Sequence, residues 1–145
     1  MPPWERNYWV LAISVLLSSS YYFGTVISKS LAAGAVIAPS LKLIIVYVVL
    51  QIVLSVGGVV AFIILARIRS GEDGLDEKPD ERDLAFQTRA EAGAGHLLSF
   101  GVAVALVYFF AHRNGDLLFH TVLAGLVLGE MARCVIQIIA YRRGY

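Results

Sequence analysis

Four apolar runs govern how this chain can fold. Residues 8–28, 41–66, 92–112 and 117–140 are each about as long as a helix needs to be to cross the hydrocarbon core of a bilayer. In hydrocarbon no water is at hand for backbone N–H and C=O groups, so each run must satisfy them internally, as a helix. Composition agrees: 58% of the 145 residues are hydrophobic and 16% charged, against about a quarter charged in soluble domains. The expected fold is all-α, an integral membrane bundle of four transmembrane helices in two hairpins, with residues 1–145 forming one domain. A net charge of +1 builds no basic face for nucleic acid. The single cysteine, Cys134, leaves neither an internal disulfide nor a Cys-x-x-Cys redox pair.

Within the first run, Trp4, Tyr8 and Trp9 stand where an interfacial aromatic belt is expected. Ala33-Gly34-Ala35 resembles a signal-peptidase site, but the apolar run is long for a signal peptide and Lys29 interrupts it, which favours a retained helix. Ser18-Ser19-Ser20 and Gln51 supply mid-membrane hydrogen-bonding groups, and Gly57-Gly58 lets a backbone approach or a helix bend. Leu31 to Ser40 reads as an interfacial connection ending at Pro39. In the turn Arg113-Asn114-Gly115-Asp116, Gly115 is expected to be the left-handed stop and Asp116 the N-cap. Gly125 and Gly129 form a GxxxG pattern, a helix-packing signal that serves a neighbouring helix or a second copy equally well.

Basic residues orient the spans. The N-terminus, central connection and C-terminus carry eight of the 12 Lys and Arg; the two other connections carry three. Positive-inside bias therefore puts both termini and the central segment in the cytoplasm. Pro79 suits the first turn of a helix, and acids at Asp80, Glu81 and Asp83 suit its positive end. From there a helix can run unbroken to about His112, its polar part projecting from the bilayer ahead of the third span. Asp80, Asp83, Gln87 and Glu91 follow one helical stripe; Arg82, Ala85, Arg89 and His96 fall nearly opposite. Segregated charge at a membrane surface is an interaction device. Asp80, Glu81, Arg82, Asp83, Phe86, Arg89 and Glu91 are the candidate partner-binding residues, for a second copy or another protein.

Glu130 and Arg133 lie inside the fourth run, at roughly 2.5 to 3.5 kcal/mol each on insertion scales. They share a helical face with Cys134, Gln137 and Tyr141. Folding the last hairpin at Asn114 sets Glu130 near the depth of His96 and Leu97, so the expected intramembrane cluster is His96, Glu130, Arg133 and Gln137. His96 is expected to meet Glu130, with Arg133 pairing locally or reaching towards Glu91. Three readings stay open: a structural pin, which is preferred; a proton- or ion-coupled site at Glu130; and a metal site of His96, Glu130 and Cys134, whose spacing is not diagnostic. His112 and His120 read as interfacial residues around the outer turn. No nucleophile elbow, phosphate-binding glycine loop, zincin motif or calcium-loop spacing occurs, so no catalytic residue, cofactor or metal is expected.

Asp80-Glu81-Arg82-Asp83, followed by Leu84, Phe86 and Arg89 ahead of a spanning helix, resembles the cytoplasmic Asp-Glu-Arg segment of a family of small prokaryotic four-helix membrane proteins of unknown function. The specific likeness covers about residues 80–96. Phe86 and Ala85 stand where that family more often has aliphatic residues, and its aromatic pair early in the third span is missing. The resemblance implies a prokaryotic cytoplasmic membrane and no established activity. The expectation is a small non-enzymatic membrane interaction or regulatory protein; the alternative is a small oligomeric transporter using Glu130.

Overall fold

The computed structural model describes residues 3–70 and 81–143, with only the backbone of residues 3, 4, 66, 69 and 70. The connection 71–80, with Pro79 and Asp80, lies outside the described residues, as does the side chain of Trp4. Four helices account for nearly all of the rest: α1 (Pro3–Ala33), α2 (Leu41–Ser70), α3 (Glu81–His112) and α4 (Gly115–Arg143). All four are long and apolar enough to cross a membrane, and no strand occurs among the described residues. The protein is an all-α four-helix bundle. Each helix outruns its apolar core, most of all α3, which continues unbroken from the charged segment into the third apolar run.

Local chemistry sets the ends. Gly34 takes φ +68° just past α1, a left-handed stop that glycine adopts without a Cβ penalty. The following loop is tied back by Ile37 N–H donating to Ser30 Oγ at 3.2 Å. At the α3–α4 turn the left-handed residue is Arg113, φ 53°, rather than Gly115, which opens α4. The N-cap is Asn114 rather than Asp116, its Oδ1 accepting from Leu117 N–H at 3.0 Å. The short Asn side chain reaches the first-turn donors from two residues earlier than expected.

Packing runs in a row. α2 packs on α1, α1 on α4 and α4 on α3, all antiparallel; among the described residues no Cα of α2 comes within 8 Å of α3 or α4. The first and last helices therefore form the centre. Between them Ala12, Cys134 and Ile138 are buried together, with Tyr8 and Leu11 against them. α1 buries Val15, Tyr22 and Val26, and with them the small polar Ser14, Ser18 and Ser19. Among the described side chains of α2, none is buried.

Glycine sets the closest approach. α3 crosses α4 where Gly101 meets Gly125, and Gly129 lies against the Ala94 carbonyl and Leu98. The GxxxG pair is thus spent inside the chain. Gly58 of α2 makes the equivalent room for Val10 of α1, while Gly57 faces open space. One end of the bundle gathers Glu5, Arg142, Arg6, Phe62, Phe86 and Tyr141 and so holds both termini and the ends of the central connection. This is the charged end; the two short turns lie at the other.

Candidate functional site

Two places gather the polar side chains, one inside the bundle and one at the charged end.

The inner site is a cleft of about 330 Å³ where α1, α2 and α4 diverge, lined by Val15, Tyr47, Gln51, Leu123, Leu126, Val127 and Glu130. Its walls are mostly aliphatic, and its polarity comes from three places. Ser18 Oγ donates to the Gln51 amide oxygen, joining α1 to α2. Tyr47 stands edge-on to Tyr22, ring centroids 5.6 Å apart. Glu130 is held by Arg133, one turn along the same helix: Nε donates to Oε2 at 3.2 Å and an Nη to Oε1. The pair is two-pronged, the geometry that a planar guanidinium gives a carboxylate. The Arg133 side chain keeps 27% of its surface exposed and Glu130 41%, so the pair lies outside the core, with Glu130 on the cleft wall.

The expected cluster forms only in part. Glu130 and Arg133 pair, but His96 does not join them. It sits exposed on the outer flank of α3, with no hydrogen bond or ion pair. α3 meets α4 through Gly93, Gly101 and the Ala94 carbonyl, and that face turns His96 away. Its stripe and the packing face differ, which spacing alone did not reveal. Gln137 is fully buried, yet neither its nitrogen nor its oxygen has a hydrogen-bond partner. Cys134 is buried beside it, away from His96. No group of three metal-ligating side chains occurs among the described residues.

The buried histidine is instead His120, 7% exposed. Its Nε2 donates to the Ile37 carbonyl at 3.0 Å, and Nδ1 lies 3.1 Å from the Tyr22 hydroxyl. A carbonyl only accepts, so Nε2 carries hydrogen; in the neutral ring, Nδ1 then accepts from Tyr22. One imidazole thereby ties α4 to α1 and to the loop after it. Reading His120 as an interfacial residue missed this. The aligned signal was Tyr22 on α1, one hairpin away in depth, and sequence spacing within a helix does not report pairing between helices.

At the charged end, the polar segment of α3 lies down on α4. Phe86 is 4% exposed and Ala90 fully buried. Phe86 stands edge-on to Tyr141 at 5.6 Å, with the Arg82 guanidinium 5.4 Å from its ring centroid. Tyr141 also hydrogen-bonds to Asp83 and stacks on Tyr8 at 6.3 Å. Glu5, almost fully buried, accepts from Arg142 Nε at 3.2 Å, and Arg142 lies over Trp9. Of the candidate partner-binding residues, Phe86 is therefore an internal anchor, and Asp83 leans on α4. Glu81, Arg82, Arg89 and Glu91 remain exposed, Gln87 donating to Glu91 at 2.9 Å. Asp80 lies outside the described residues. No protein-family model, curated protein or solved structure matches the chain.

Proposed function

We propose that this is a non-enzymatic membrane interaction module whose working surface is the outer face of the charged segment of α3. The observation that carries the reading is the division of that segment. Phe86 and Ala90 are buried on α4, while Leu84, Ala85, Thr88, Arg89 and Glu91 project outward. A helix fixed through one face presents the other without paying the ordering entropy a free segment pays on binding. The occupant is a second copy or another protein that complements its mixed charge. Positive-inside bias, and the resemblance to the small prokaryotic family, support placing this end in the cytoplasm of a prokaryotic inner membrane.

A photoreactive residue at Leu84, in cells expressing the full chain, tests the proposal. Adducts to this chain would identify a homo-oligomer, and adducts of one other mass a heterologous partner. Only lipid adducts at Leu84, Ala85 and Thr88 alike would end it.

One observation favours the second reading, a small proton- or ion-coupled transporter: Glu130 lines the cleft with Gln51 and Tyr47. Against it, Arg133 already neutralises that carboxylate. Proton- or cation-coupled flux in liposomes that disappears in Glu130→Gln would favour the transporter over the interaction module.

A further inference from the structure

Most arginines among the described side chains are engaged. Arg142 pairs with Glu5, Arg133 with Glu130, Arg6 lies over Phe62 at 4.5 Å and Arg113 over Phe110 at 5.4 Å. Arg82 covers Phe86 and Arg67 also has a partner. Among the described side chains Arg89 and Arg143 are exceptions: neither makes a hydrogen bond, an ion pair or a ring contact with a described residue. They come from different helices, yet both line one groove of about 230 Å³ between α3 and α4, with Phe86, Ile136, Ile139 and Ala140.

The groove has a direction. Ile136, Ile139 and Ala140 belong to the last turns of the fourth apolar run, and Arg89 and Arg143 stand at its charged rim. Gly93 is part of the construction: a Cβ there would lie 2.7 Å from Ile136 Cδ1, so its absence lets Ile136 lie against α3. The result is an apolar floor continuous with the span, beneath two guanidinium groups that pair with no carboxylate among the described residues.

We propose that this groove binds an anionic phospholipid, its phosphodiester held between Arg89 and Arg143 and an acyl chain lying along Ile136 and Ile139. Guanidinium groups match phosphate oxygens as planar, two-pronged donors, better than an ammonium does. Basic pockets between spanning helices at the headgroup level suit anionic lipid heads. An acidic peptide fits less well, because occupying the floor would carry its backbone into hydrocarbon without hydrogen-bond partners. The groove shares Arg89 with the edge of the outer face of α3, but Arg143 and the floor lie outside that face, so the Arg143→Gln variant tests the lipid site apart from the interaction module.

Native mass spectrometry of the full chain in detergent, with equimolar dioleoylphosphatidylglycerol and dioleoylphosphatidylcholine, tests it. The glycerol lipid is expected to be retained in preference. Arg89→Gln and Arg143→Gln are each expected to reduce that preference roughly fivefold, and together about 25-fold. Arg113→Gln, at the opposite end, is expected to leave it unchanged. Lysine at both positions is expected to restore part of the preference, which separates lost charge from lost folding. Equal retention of the two lipids would overturn the proposal, as would a preference that survives the double glutamine variant. Millimolar glycerol phosphate should not displace the lipid; displacement would assign the groove to a free phosphate and overturn the lipid site.

Discussion

The Gly101–Gly125 crossing makes the sharpest demand on the packing. A methyl group placed on Gly101 would lie 2.9 Å from the Gly125 Cα, and that atom is backbone, with no rotamer by which to yield. Carbon atoms rest about 3.5–4.0 Å apart, so Gly101→Ala requires α3 and α4 to separate by roughly 0.6–1 Å there. A gap of that size forfeits about a quarter to a half of each contact's dispersion energy along the seam. Overpacking of this kind costs about 1–3 kcal/mol, offset by up to about 1 kcal/mol from the better helix propensity of alanine. The expected net loss is about 1–2 kcal/mol. Gly125→Ala, whose methyl would sit 3.3 Å from the Gly101 Cα, should lose less. Gly95 supplies the control: nothing lies within 4 Å of its Cβ position, so Gly95→Ala should be neutral or stabilising. Reversible unfolding in mixed micelles, followed by helicity, ranks the three. If Gly101→Ala matched Gly95→Ala, the helices would not cross at Gly101 and the reasoning would fail.

Two further outcomes follow from the polar groups. Arg133→Leu and Glu130→Leu should each destabilise the bundle by leaving one ion alone in an apolar cleft, while the double replacement recovers most of the loss; additive losses in the same unfolding assay would show that the pair is not coupled. Gln137→Leu should raise stability by about 1–2 kcal/mol, because the amide is fully buried and makes no hydrogen bond; a drop would mean that the amide has a partner in the membrane.

The architecture was legible because hydrocarbon leaves few options: four long apolar runs, a charged insertion and two short connections lead to four helices and one charged end. The i, i+3 spacing of Glu130 and Arg133 was equally readable, since both sit on one helix whose geometry is known in advance. Gln51 was read as an interhelical hydrogen-bonding residue, and it meets Ser18. What could not be read was rotation. His96 and His120 are both histidines near a span end, and one lies exposed while the other joins three parts of the chain. The difference depends on which face of α3 or α4 the glycines turn inward, a relation between helices that no single stripe encodes. Phe86 shows the same limit. On paper it belongs to a polar stretch facing a partner; in the bundle it meets Tyr141, 55 positions away in the chain.

The row of helices also has a calendar. A ribosome delivers α1 and α2 first, and those two can pair as soon as both are in the bilayer. The third helix then arrives with no neighbour in its own chain, because its packing surface is made for α4 alone. The glycine face of α3 must wait in lipid, with Arg82 and Glu91 at its charged end, until α4 is made. When α4 enters, it closes on α1 and α3 at once, so that the bundle is completed only with its fourth helix. A chain stopped at His112 is a hairpin with a stray helix, open to chaperones and proteases that recognise unfinished membrane proteins.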